Sequence, residues 1–151
     1  MTFIKATEAR IKAQRATIYT DEHGSTETRL GGSPAWRNNN PGNIRPSKYN
    51  KEQIGTAWGF AVFPSEAAGL RAMQSLLSRP LYAKLTLEKA IFKYAPPSDN
   101  NPSSAYATYV SKHAEVALTE ILGSLTPERL TRLIRAMTKF ESALPGTITH
   151  P

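Results

Sequence analysis

A chain of 151 residues with 40% hydrophobic content holds enough material for one packed domain of ordinary size. Lys and Arg number 19 against 12 Asp and Glu, so the formal net charge of +7 favours anionic partners: nucleic acid, anionic membrane or bacterial cell wall. The absence of cysteine excludes disulfides, thiolate catalysis and Cys-ligated zinc.

In chain order, the residues from Met1 to Lys5 lack the apolar core of a signal peptide, and no apolar run reaches the length of a membrane span. Membrane insertion is therefore not expected. Residues 3–16 are expected to form a basic amphipathic helix, with Ile4 and Ile11 on one face and Lys5, Arg10, Lys12 and Arg15 solvated. Residues 17–50 read as a hairpin followed by an amide-rich loop. Thr17 to Thr20 is β-prone, Asp21-Glu22-His23-Gly24 is a turn, and Ser25 to Leu30 returns as a second strand. Gly31-Gly32-Ser33-Pro34 breaks the pattern. Trp36-Arg37-Asn38-Asn39-Asn40-Pro41-Gly42-Asn43-Ile44-Arg45 is too polar and too rich in breakers for a regular element.

Residues 65–141 read as a helical lobe. Ser65 caps a helix carrying Leu70, Met73, Leu76 and Leu77, and Thr86 caps another carrying Leu87, Ala90, Ile91 and Tyr94. A third begins near Asn100-Asn101-Pro102-Ser103 and carries Tyr106, Tyr109, Val110 and His113. Thr126-Pro127-Glu128 combines a cap, a first-turn proline and a first-turn acid ahead of Leu130, Leu133, Ile134, Met137 and Phe140. Residues 145–151 are expected to fray. The predicted fold is thus mainly α, an α+β domain spanning residues 1–151, with a small N-terminal β-hairpin beside the helical lobe.

Glycoside hydrolysis requires a carboxylic acid to protonate the leaving oxygen and a second group to balance the developing cation or activate water. Most acids here have other readings. Glu66, Glu88 and Glu128 stand in first helical turns, where the macrodipole favours an acid. Asp21, Glu22 and Glu27 instead cluster at the hairpin just before the amide loop, where a polar turn is the competing reading. Asn38, Asn39, Asn40 and Asn43 offer paired donors and acceptors that match sugar hydroxyl and N-acetyl groups. Their competing role is to satisfy local backbone groups. Trp36, Trp58, Phe60 and Phe63 offer apolar faces for sugar rings, and Gly42 admits a backbone shape closed to other residues.

Three resemblances follow from these motifs. Arg37 to Arg45, Gly59 to Phe63, Gly69 to Met73 and Tyr94 to Asn101 together resemble a family of phage virion or lytic proteins and secretion effectors, over roughly residues 18–113. Gly31-Gly32-Ser33 ahead of Trp36-Arg37 is similar to its type VI effector branch. Glu22-His23-Gly24 followed by Asn40 to Arg45, then Phe60 to Ser65 and Leu76 to Tyr82, resembles peptidoglycan glucosaminidases of the flagellar-rod and autolysin type. That resemblance makes Glu22 the general acid. Ile18-Tyr19-Thr20-Asp21 with Gly24 is similar to the active-site hairpin of phage lysozymes, which puts Asp21 and Glu27 at a cleft.

The resemblances imply a lysozyme-like peptidoglycan glycosidase, either a hydrolase (muramidase or glucosaminidase) or a lytic transglycosylase, with Glu22, Glu27 and Asp21 as catalytic candidates, in that order. Asn39, Asn40, Asn43, Trp36, Phe60 and Tyr94 are the substrate-binding candidates. They also imply delivery into the periplasm of a target cell, with an immunity protein as partner, or a place in a phage virion or lysate. A non-catalytic phage structural or wall-binding module is the alternative. No cofactor is expected, and no metal, because His23, His113 and His150 show no ligand spacing. Nucleic acid is not expected as a partner, since basic residues spread from Lys5 to Lys139 without a reading helix. A monomer is expected.

Overall fold

A computed structural model describes residues 2–151. Strand accounts for 22% of the chain and helix for 41%. The fold is therefore a mixed α/β arrangement around a six-stranded sheet, which corrects the expectation of a mainly α domain with a small hairpin. The strands are β1 (Phe3–Ile11), β2 (Gln14–Asp21), β3 (Thr26–Leu30), β4 (Gly55–Ala57), β5 (Phe60–Val62) and β6 (Thr147–Thr149), in the order β5-β4-β1-β2-β3-β6. The β1–β4 pair is parallel and the others are antiparallel.

The helix expected over residues 3–16 is instead β1, a turn and the start of β2. Ala, Lys, Glu and Arg favour helix locally, but burial decides. Ala6 lies opposite Tyr19, and the two join Ala57 and Val62 in a buried cluster, with Phe3, Ile54 and Trp58 packed against it. Each large apolar side chain buried in this way contributes about 1.5–3 kcal/mol. The chain reverses at Lys12 and Ala13, whose φ values of 50° and 65° are both left-handed. That is a two-residue hairpin turn built without the usual glycine or asparagine. The expected fraying of residues 145–151 is corrected too, because β6 pairs Thr147, Ile148 and Thr149 with Leu30, Arg29 and Thr28.

The chain packs as two compact units. The first runs through Ala72 and takes in Glu141–Pro151; the second is Met73–Phe140. The helices are α1 (Pro34–Arg37), α2 (Glu66–Ser78), α3 (Pro80–Ala83), α4 (Leu87–Tyr94), α5 (Ser103–Ala114) and α6 (Pro127–Glu141). Three begin at the expected caps. Ser65 Oγ accepts the Ala68 N–H at 3.1 Å, Thr86 Oγ1 the Lys89 N–H at 3.3 Å, and Thr126 Oγ1 the Arg129 N–H at 3.3 Å. Leu133, Ile134, Ala136 and Met137 form the buried stripe of α6. No described helix is long and apolar enough to cross a membrane.

Candidate functional site

The amide loop follows α1 and closes on β5 through its own side chains. Asn38 Oδ1 accepts the Thr17 hydroxyl at 2.7 Å, and the Asn38 carbonyl accepts the Phe63 N–H at 3.0 Å. Asn39 Nδ2 donates to the Phe63 carbonyl at 3.2 Å. Asn40 Nδ2 donates to the carbonyls of Ile44 and Ala61, and its Oδ1 accepts the Ile44 N–H, all at 2.9 Å. Asn38 and Asn40 are fully buried. Asn40 thus acts as a backbone staple and presents nothing to a sugar, contrary to its assignment as a binding residue. The left-handed positions of the loop are Asn39 and Asn43, both with φ 49°; Gly42 is not one of them.

Gly69 of α2 lets the helix press on this loop. A Cβ there would stand 2.3 Å from the Asn39 carbonyl oxygen and 2.7 Å from the Pro41 ring. On the other side Arg29 of β3 donates from Nη1 to the Trp36 carbonyl at 2.8 Å and to Asn39 Oδ1 at 2.9 Å. Its guanidinium lies 5.3 Å from the centre of the Trp36 ring. Together these contacts frame a cavity of about 420 Å³, lined by Arg29, Ala35, Trp36, Asn39, Pro41, Pro64, Ser65, Glu66 and Ala143. Its size and its mix of an aromatic face, prolines and a few polar groups suit a small organic ligand or a sugar ring.

Of the substrate-binding candidates, Trp36 and Asn39 therefore line one cavity. Phe60 lies apart from the lining, with the Arg45 guanidinium 4.9 Å over its ring. Tyr94 belongs to the second unit, where its ring meets Tyr106 edge-on at 6.5 Å.

The hairpin carboxylates do not gather into a catalytic group. Asp21 is buried, and its Oδ1 accepts the N–H groups of His23 at 2.8 Å and Ser25 at 2.9 Å, which is a turn-holding role. Glu22 is exposed on that turn and accepts the Thr2 N–H at 2.9 Å. Backbone N–H groups, its own first and that of Thr2, hold its carboxyl below the usual range. A general acid must keep a proton near neutral pH, so this setting runs against the role assigned to Glu22. Glu27 is nearly covered and faces Arg29 Nε at 3.3 Å, with His150 Nε2 at 3.9 Å.

A different carboxylate meets the amide loop. Asn43 Nδ2 donates to Glu141 Oε1 at 3.2 Å, across 98 residues of chain. Both side chains belong to partly buried residues, and Asn43 Oδ1 is a buried acceptor without a hydrogen-bond partner. Asn43 and Glu141 are not part of the cavity lining, though Pro41 and Ala143, two residues from each in sequence, are. Sequence reading passed over Glu141 because it ends the apolar stripe of α6. The available signal was its position: an acid as the last residue of a helix stands where the macrodipole disfavours negative charge.

Among the described residues no group of three His, Cys, Asp or Glu side chains gathers to hold a metal ion. Comparison with protein-family models gives no match for this chain, and comparison with curated proteins gives none either.

Proposed function

We propose that the chain is a peptidoglycan glycan-strand glycosidase in which Glu141 supplies the proton. The observation that carries this reading is the hydrogen bond from Asn43 to Glu141, each two residues along the chain from Pro41 or Ala143 of the cavity walled by Trp36 and Asn39. Asn43 can serve either state of that carboxyl. Its Nδ2 donates to the carboxylate, and a 180° turn of the amide brings Oδ1 round to accept from the carboxylic acid.

In this reading the sugar ring lies on Trp36 while Asn39 borders its polar groups. Glu141 passes its proton to the glycosidic oxygen as the bond to the anomeric carbon breaks. Glu66, the carboxylate on the cavity wall, balances the positive charge that develops there. Water then adds hydroxide to that carbon and returns a proton to Glu141. The sequence resemblances to lysozyme-like and glucosaminidase families support the same chemistry. They also motivate the biological setting: action in the periplasm of a target cell, with an immunity protein guarding the producer, or in a phage lysate.

The test is digestion of purified sacculi, with the fragments read by mass spectrometry. The wild-type chain is expected to release glycan fragments, and Glu141→Gln to lose activity by about 10²–10⁴-fold with its fold unchanged. Intact glycan from the wild type overturns the enzyme reading in favour of a wall-binding module. Near-normal activity in Glu141→Gln removes Glu141 from the mechanism.

A further inference from the structure

We propose that the free end of the β1–β2 hairpin is a binding site for a phosphate monoester, formed by the Arg10 and Arg15 guanidinium groups on the Trp58 indole. The site is separate from the cavity and does not depend on the glycosidase reading.

Two local rules are broken at this one place. Arg10 and Arg15 are direct cross-strand partners, and like charges in that position destabilise a sheet. Trp58 has φ 53°, a left-handed conformation that is strained for a bulky residue. The two features meet, since each guanidinium carbon lies 4.9 Å from the centre of the Trp58 ring. The indole is itself held from below: Nε1 donates to the Ala16 carbonyl at 3.4 Å, and the Trp58 N–H donates to Glu8 Oε1 at 3.0 Å. Departures from local consistency that converge in this way are expected at functional or strained sites.

The charges are not neutralised within the chain. No described carboxylate pairs with Arg10 or Arg15; Arg10 reaches the Ala13 carbonyl at 3.4 Å. Glu8, the nearest acid on β1, is committed to the Trp58 backbone. Lys12, exposed at the hairpin tip, adds a third positive charge.

The chemistry of the ligand follows from this set. Direct cross-strand partners hold their Cβ atoms about 4.5–5.5 Å apart, so both guanidinium forks can close on one small anion. Two planar forks call for more acceptor oxygens than a carboxylate has. A phosphate monoester offers three terminal oxygens and a charge of about −1.5 to −2, which matches two guanidinium groups. The ring beside them offers an apolar face to the sugar or alkyl group that carries the phosphate.

The experiment is a titration of the whole chain with inorganic phosphate and with glucose 6-phosphate, followed by two-dimensional ¹H–¹⁵N spectra. Saturable shifts are expected at the Trp58 indole N–H and at Arg10 and Arg15 Nε–H, with the Trp36 indole unmoved. Arg10→Gln with Arg15→Gln should weaken binding about tenfold or more while the spectrum remains that of a folded chain. Lys51→Gln with Lys84→Gln, which removes the same charge elsewhere, should bind as the wild type does. The proposal is overturned if neither phosphate gives a saturable shift, or if acetate at equal ionic strength gives the same one. It is equally overturned if the lysine pair weakens binding as much as the arginine pair.

Discussion

Three adjacent asparagines in the amide loop perform three different tasks: Asn38 ties the loop to β2, Asn39 joins Arg29 to Phe63, and Asn40 clamps Ile44 to Ala61. Replacing Asn40 by Ala leaves the Ile44 N–H and the Ala61 carbonyl without their side-chain partner, at about 1–3 kcal/mol for each group left unsatisfied, while the Ile44 carbonyl still accepts the Ala61 N–H. Urea unfolding should register that loss, and a change below about 1 kcal/mol would contradict the clamp. An amide presents the same donor and acceptor to a backbone peptide as to a sugar, so composition drew attention to this loop without revealing which way its side chains point. Asn39 and Trp36, singled out for their amide and aromatic groups, do line a cavity. Glu141 was not, because its partner lies far away in sequence and its own helix reads as an ordinary amphipathic one.

At the level of elements, caps made the helices readable and a missing turn signal hid the sheet. Ser65, Thr86 and Thr126 are oxygen-bearing caps ahead of apolar stripes, and α2, α4 and α6 start where they indicate. The β1–β2 hairpin carries Lys12-Ala13 where Asn-Gly would have announced a turn, and its flanks are rich in helix-favouring Ala, Glu and Lys. Its strand character comes from Tyr19, Ala57 and Val62, which lie outside the segment or beyond its local window. The same fact makes the turn improvable. Lys12→Asn with Ala13→Gly relieves two left-handed residues at about 1–2 kcal/mol each, partly offset by the greater freedom of glycine when unfolded. A net gain of about 1 kcal/mol raises the thermal midpoint of a chain this size by roughly 2–4 °C. A lower midpoint would show that the turn is not strained as drawn.

For the molecule as a whole, acid should act on both units. In the second unit two hydrogen bonds of 2.7 Å from Arg129, together with the Ala117 N–H, hold the Glu120 carboxyl at about 2, down from its ordinary 4.5. In the first unit the Arg71 guanidinium lowers Glu52, and backbone N–H groups lower Glu22. A carboxyl lowered by folding contributes stability that is complete above its unfolded value and is lost as pH falls toward its folded one. For Glu120 that window runs from 4.5 down to about 2. Protonation also raises an already positive net charge, which adds self-repulsion. Chemical unfolding measured across this range should show falling stability in the wild type and a shallower fall in Glu120→Gln. Parallel curves would mean that the ion pair is spectator to acid unfolding, as exposed pairs often are.

The return of the chain to its first unit sets an order of events during synthesis. Strands β1 to β5 and the amide loop can meet as soon as the first sixty-odd residues have emerged, because every pairing among them lies within that length. The second partner of β3 and the side-chain partner of Asn43 come only after the entire second unit has been made, for β6 and Glu141 follow Phe140. Contacts of such long range form slowly and late. A ribosome therefore makes the cavity lining from Arg29 to Glu66 well before it supplies Ala143, the last lining residue. A nascent chain that stops short of Glu141 thus holds β1 to β5 and most of the cavity lining, while β3 still offers an open edge where β6 will pair.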